Sequence, residues 1–242
     1  MMNSRTVVIT DVHGCYEELV TLLKRIKFSK CRDRIIFLGD SMDRGKDSWE
    51  CFNLMMTLKR VMGDNCILLM GDHDLMLKEV CGSEDDSLST IYENISIWKS
   101  NGSESTVYSF EKNGKDWRDC VKEYDKYFKY YHKEGTLLFS HAGSSLRYPE
   151  RFGAGLVWNR VVSKCVTKYD GLQIIGHSPL SNPIYIAPEE DNVCVLEYEK
   201  RRKLPKSGVI NLDTGCVFGR SLTAMCIYYD GTYRLFKEDY HG

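Results

Sequence analysis

Apolar residues in this chain fall in short runs, and each run is followed by a cluster of charge. Thr6 to Thr10 is apolar and β-branched; Asp11-Val12-His13-Gly14 follows, and then Leu19, Leu22, Leu23 and Ile26 recur at the spacing of one helix face. The pattern predicts strand, loop, helix. Ile35 to Leu38 begins the same unit again, followed by Gly39-Asp40-Ser41-Met42-Asp43-Arg44-Gly45 and a helix capped by Asp47 or Ser48, with Glu50 in its first turn and Gly63 past its end. A third unit runs from Cys66 to Met70 through Gly71-Asp72-His73-Asp74 into an apolar stretch at Leu75 to Val80. A continuous apolar run suits a parallel strand buried on both faces, and the alternation argues for βαβ units in a parallel sheet. Ligands bind such sheets beyond the carboxyl ends of the strands, so the charges that follow each run are candidates for one site.

Between about residues 81 and 135 the character changes. A serine-rich acidic loop, Ser83 to Ser89, leads into a segment crowded with Tyr92, Trp98, Tyr108, Phe110 and Trp117. Trp117, Cys120, Val121, Tyr124, Tyr127, Phe128 and Tyr131 then sit at helical spacing, with Asp116 as N-cap and Gly135 as stop, which predicts a helix from Trp117 to His132. The segment reads as a mainly helical insertion whose rings pack against the main domain, with one or two near the site placed to contact substrate. Strands resume at Thr136 to Ser140, before His141-Ala142-Gly143, and at Leu172 to Ile175, before Gly176-His177-Ser178. Val193 to Tyr198, Gly208 to Leu212, Leu222 to Tyr229 and Tyr233 to Phe236 are closely spaced and read as antiparallel, with a hairpin turn at Asp230-Gly231. The basic cluster Lys200 to Lys203 between two of these strands reads as a solvated loop.

The 242 residues, 43% hydrophobic and 28% charged, suit one globular domain spanning 1–242. A net charge of -1 gives no global reason to expect nucleic acid or an anionic membrane as partner, and no apolar run approaches the roughly 20 residues of a membrane span. Ten cysteines are scattered without a C-x-x-C pair, and the first residues contain no signal-peptide apolar region, so the thiols read as reduced and mostly buried in a cytoplasmic protein.

Four of the six histidines, His13, His73, His141 and His177, follow a predicted strand directly and lie beside glycine. Aspartate and imidazole suit divalent transition metals. Two such ions about 4 Å apart can clamp a phosphate and share a deprotonated water as in-line nucleophile. One Asp-x-His by itself is commonly structural; five strand ends offering ligands in order point to a shared centre.

Asp11-x-His13-Gly14, Gly39-Asp40-x-x-Asp43-Arg44-Gly45, Gly71-Asp72-His73-Asp74, His141-Ala142-Gly143 and Gly176-His177-Ser178 resemble the signature series of the metallophosphoesterases of the phosphoprotein phosphatase family. Within it they are most similar to small serine/threonine phosphatases of the lambda type, with diadenosine tetraphosphate hydrolases as relatives. The likeness runs from Asp11 to about Thr223 and is thin in the insertion. It implies an α/β fold, a central β-sandwich of mixed sheets flanked by helices. It also implies two divalent ions, manganese first, with iron or zinc as alternatives. Asp11, His13 and Asp40 would hold one ion, with Asp40 bridging, and Asp72, His141 and His177 would complete the other. His73 would protonate the leaving oxygen, held by Asp43. Arg44 would grip phosphate, and Arg160 is the choice for a second clamp over Arg147 and Arg151. Asp213, in Leu212-Asp213-Thr214-Gly215, reads as structural.

One departure stands out: the family carries Asn where this chain has Asp72. An asparagine can ligate through its oxygen while donating to phosphate, whereas an ionised carboxylate only accepts. The expectation is a slower phosphatase acting on a phosphorylated protein or small phosphoester. Hydrolysis of a dinucleoside polyphosphate is the alternative, disfavoured because those relatives tend to lack the aspartate at Asp43. A non-catalytic binding protein with a weakened site is the third reading.

Overall fold

Strands form where the chain can bury both faces. The computed structural model describes residues 5–82, 86–160, 167–188 and 193–242; Ser83 to Asp85 of the serine-rich loop lie outside them. The first three units are β1 (Arg5–Ile9), α1 (Tyr16–Arg25), β2 (Asp33–Phe37), α2 (Ser48–Met62), β3 (Cys66–Leu69) and α3 (Asp72–Val80). Along β1, Val7 and Ile9 face the helices with Leu19, Leu22, Phe52 and Met55, while Val8 faces the opposite way into a second core. Ile35 and Phe37 alternate with Ile36 in the same manner along β2. Side chains of a strand point alternately to its two faces, so a sheet covered on both sides needs apolar residues at every position.

The aromatic-rich segment forms α4 (Leu88–Ser100), α5 (Ser103–Lys112) and α6 (Cys120–Tyr127). Ser87 caps α4 by accepting from the amide of Thr90. The helix predicted over Trp117 to His132 is shorter: it starts with a 3-10 turn at Trp117–Asp119 and ends at Tyr127. The rest becomes β4 (Phe128–Lys129) and β5 (Tyr131–Glu134), because Phe128 and Lys129 find partners on Leu68 and Leu69 at the sheet edge. A ladder to a distant strand outweighs local helical spacing. Trp98, Phe110 and Tyr124 are buried as predicted, whereas Tyr92 and Tyr108 stay exposed.

The remaining strands are β6 (Leu137–Ser140), β7 (Leu172–Ile175), β8 (Ile184–Ile186), β9 (Val193–Val195), β10 (Arg201–Lys203), β11 (Gly208–Asn211), β12 (Ser221–Tyr228) and β13 (Thr232–Asp239). One sheet has the order β10-β13-β12-β1-β2-β3-β4 and the other β5-β6-β7-β11-β8-β9. Both are mixed. The expectation that the late strands are all antiparallel is corrected by β11, which runs parallel to β7. The basic cluster is likewise an edge strand and not a loop: Arg201, Arg202 and Lys203 pair with β13, and Glu197 and Asp230 neutralise part of its charge. β12 and β13 form the hairpin expected at Asp230-Gly231.

The sheets face each other across Val8, Ile36, Leu69 and Met225 on one side and Phe139, Ile174 and Ile210 on the other. Strands β1, β2 and β3 are mutually parallel, as are β6 and β7, so their carboxyl ends open toward the same loops. No helix among the described residues is long and apolar enough to cross a membrane. Cys15, Cys51, Cys66, Cys120, Cys216 and Cys226 are buried free thiols.

Candidate metal centre

The loops after β1, β2, β3, β6 and β7 bring Asp11, His13, Asp40, Asp72, His73, His141 and His177 into one buried cluster. Their backbones are unusual. Asp11, His13, Asp40, Asp43, Arg44 and His177 all adopt positive φ, six of the eight non-glycine residues that do so among those described. Such conformations cost on the order of 1–3 kcal/mol each and persist where surrounding structure imposes them, characteristically at functional sites. The glycines of the motifs make room for the crowding. A Cβ on Gly71 would lie 2.0 Å from Oδ1 of Asp40, and one on Gly176 2.0 Å from Oδ2 of Asp11.

Hydrogen bonds orient the histidines. Nδ1 of His13 lies 2.6 Å from the carbonyl of Met42, and Nδ1 of His141 lies 3.1 Å from that of Leu38. A carbonyl only accepts, so each Nδ1 carries a proton and each Nε2 faces the cluster. This is the arrangement that metal-binding histidines use. Oδ2 of Asp40 sits between them, 3.3 Å from Nε2 of His13 and 3.4 Å from Nε2 of His141. Oδ1 of Asp72 is 2.9 Å from Nε2 of His141 and 3.0 Å from Nδ1 of His177. Both oxygens of Asp11 accept from the amide of His177.

The electrostatics favour a cation. Burial disfavours the imidazolium form of His13, but Asp40 outweighs it and holds that ring up to about 9. Burial acts on His141 in the same direction and is overcome by Asp40 and Asp11. Burial also opposes the Asp40 carboxylate, which His141 and His73 nevertheless hold well below its usual range. Meanwhile Nε2 of His177 is buried with no hydrogen-bond partner among the described residues. A dense set of buried carboxylates and ring nitrogens, one of them orphaned, fits a divalent cation pair: Asp40 groups with His13 and His73 and again with Asp11 and His141, and Asp72, His141 and His177 form a further group.

Beside the cluster, Nδ1 of His73 lies 2.7 Å from Oδ2 of Asp43, with both side chains buried. Arg44 and Arg160 line a cleft of about 180 Å³ together with Asp11, His13, His177 and Asp213. Nη1 of Arg44 is 2.7 Å from Nε2 of His13, and its guanidinium lies 5.2 Å over the ring of Phe218. Of the competing arginines, Arg147 pairs with Asp170 and Arg151 stacks on Tyr148. Asp213 accepts from the amide of Gly215 in a tight turn, and burial followed by the nearby Asp11 pushes its carboxyl well above the usual range.

Sequence reasoning gave no individual role to four residues. Asp74 is fully buried and accepts from the amides of Asp40 and Gly71, both at 2.9 Å, and from the hydroxyls of Ser41 and Tyr124. Its place inside the Gly71-Asp72-His73-Asp74 motif was the available signal. Trp98 and Thr106 donate to Asp43, and Phe218 lies beneath Arg44; nothing local in the sequence marks these three.

Residues 4–212 match a family model described as calcineurin-like phosphoesterase. A symmetrical bis(5'-nucleosyl)-tetraphosphatase of Klebsiella pneumoniae is 41% identical over 75 residues, which are 31% of this chain and 25% of that protein. Its counterpart in Actinobacillus succinogenes is 38% identical over 72 residues, 30% of this chain and 25% of that protein. The match thus spans a quarter of the length of these curated relatives. A protein serine/threonine phosphatase from Saccharomyces cerevisiae superposes with a TM-score of 0.62 at 12% identity, covering 99% of this chain and 81% of its own. A metallophosphoesterase from Sphaerobacter thermophilus gives 0.61 at 17% identity, covering 98% and 89%. At these identities the superpositions speak for the fold alone. The family model, however, spans most of the sequence and every strand-end motif, and the chain belongs to the calcineurin-like phosphoesterase family.

Proposed function

We propose that this chain is a metal-dependent phosphomonoesterase, acting on phosphoserine, phosphothreonine or a small phosphomonoester. The observation that carries the reading is the buried Asp43–His73 pair, 2.7 Å apart and set against the ligand cluster. Asp11, His13 and Asp40 would hold one divalent ion, and Asp40, Asp72, His141 and His177 the other, with manganese the expected metal. Such ions, when bound, neutralise phosphoryl charge and acidify coordinated water.

The protein's own residues account for the rest of the chemistry. Asp43 fixes the ring of His73 through Nδ1, which leaves Nε2 to protonate the departing oxygen. An alkoxide leaves poorly without that proton, and a positioned acid contributes roughly 10²–10⁴-fold. Arg44 offers a planar pair of donors to phosphate oxygens once it turns from His13, and Arg160 lines the same cleft. Asp72 adds negative charge where an amide would donate.

Dinucleoside polyphosphate hydrolysis is the second reading, favoured by the names of the relatives matched over a quarter of their length. A phosphopeptide, an aryl phosphate and diadenosine tetraphosphate, compared with manganese present, separate the two. Preference for a phosphomonoester is expected, and a clear preference for the tetraphosphate would overturn it. Retained metal binding with zero turnover on all three would favour a binding protein.

A further inference from the structure

Asp43 is held almost entirely from outside its own motif. Its Oδ1 accepts from the hydroxyl of Thr106 at 2.6 Å, and its Oδ2 accepts from Nε1 of Trp98 at 2.9 Å, beside Nδ1 of His73. The amide of Asp43 donates back to the oxygen of Thr106 at 2.9 Å. The neighbouring amide, that of Arg44, donates to the carbonyl of Gly102 at 3.0 Å. Trp98 lies in the last turn of α4, Gly102 sits in the turn that follows, and Thr106 belongs to α5. Asp43, His73 and Thr106 are almost wholly buried and Trp98 is only 3% exposed, so water does not substitute for any of these donors.

The donors also set a direction. An indole N–H only donates, and the hydroxyl of Thr106 lies 2.6 Å from Oδ1 against 3.3 Å from Oγ of Ser48, so the Asp43 carboxylate is an acceptor at both oxygens. The hydrogen on the His73–Asp43 contact therefore belongs to Nδ1 of His73, and the ring is held in one orientation with Nε2 turned away from Asp43. Asp43 and Arg44, with φ of 67° and 69°, also have their strained backbone pinned by the same helices.

We propose that Trp98 and Thr106 are positioning residues for protonation of the leaving group, acting through Asp43 on His73. The aromatic-rich segment is on this account the support of the proton donor, and not a platform for substrate. The inference rests on His73 being that donor, and the experiment tests the two separately. Rates of the manganese-loaded full chain are measured on a series of alkyl and aryl phosphates whose leaving groups differ in basicity.

Trp98→Phe and Thr106→Val are expected to lower kcat about tenfold on alkyl phosphates and less than about threefold on para-nitrophenyl phosphate, whose anion departs unaided. Thr106→Ser restores the wild-type profile, and Trp117→Phe, which changes a ring packed on Trp98 without touching Asp43, leaves it unaltered. A shallow wild-type dependence on leaving-group basicity that Trp98→Phe and Thr106→Val leave unchanged, or an equal loss on every substrate, would overturn the positioning role. A wild-type dependence already as steep as that of His73→Asn, or no turnover at all, would instead remove the proton-donor reading beneath it.

Discussion

The phenol of Tyr124 donates a 2.9 Å hydrogen bond to Oδ1 of Asp74, whose Oδ2 accepts from the amides of Asp40 and Gly71. One buried carboxylate thus joins α6 to the turns after β2 and β3. Burial, and then the charge of Asp40, push this carboxyl above its usual range, so its hydrogen bonds oppose a substantial desolvation penalty. Asp74→Ala leaves several buried donors without an acceptor, each worth roughly 1–3 kcal/mol. The expected loss of stability is at least about 3 kcal/mol, against about 1–2 kcal/mol for Tyr124→Phe. Urea unfolding of both variants checks this; a loss below about 1 kcal/mol for Asp74→Ala would contradict the assigned role.

Asp72→Asn is expected to raise turnover. The oxygen that now faces His141 and His177 is retained, while the second carboxylate oxygen becomes a donor toward phosphate. A hydrogen bond to a charged group is worth roughly 1.5–3 kcal/mol, or about tenfold to a hundredfold in rate if made in the transition state. Steady-state kinetics on a phosphate ester decide the matter, and unchanged or lower turnover refutes this account of the position.

Much of this architecture was legible because burial on both faces leaves a simple trace. Val7, Val8 and Ile9, or Ile35, Ile36 and Phe37, cannot be interrupted by polar residues when both sides of the sheet are covered. The ligand set was legible because each candidate follows such a run within a few residues. What stayed hidden was non-local. Trp98 and Thr106 reach Asp43 across 55 and 63 residues, and Phe128 leaves its helical spacing to pair with Leu68. The positive φ of Asp11, His13 and Asp40 was equally invisible, since those residue types do not demand it and only the packed loops impose it.

Gly176→Ala tests how tightly the first ligands are packed. The added methyl would fall 2.0 Å from Oδ2 of Asp11 and 2.1 Å from Oγ1 of Thr10, with no flexible neighbour able to retreat without moving Asp11 itself. Overpacking of this kind costs roughly 1–3 kcal/mol, and because the atom displaced is a ligand, manganese affinity is expected to fall about tenfold to a hundredfold. Calorimetric titration reads the affinity and circular dichroism confirms the fold. Wild-type affinity in a folded variant would show that Asp11 does not bind metal from this position.

Manganese itself is expected to stabilise the protein, and Asp40 is the residue on which the effect depends. At an ion concentration about 100 times Kd, binding to the native state alone adds about 2.7 kcal/mol per site, or roughly 5–10 °C in Tm for a chain of this size. Oδ2 of Asp40 lies 3.3 Å from Nε2 of His13 and 3.4 Å from Nε2 of His141, so its loss removes charge from both halves of the cluster at once. The side chain of His177 contacts Asp72 and His141 and serves one half only. The manganese-induced shift should therefore nearly vanish in Asp40→Asn and persist in reduced form in His177→Ala, as read by thermal unfolding with and without chelator. Equal shifts in the two variants would mean that the halves are independent and that Asp40 does not join them.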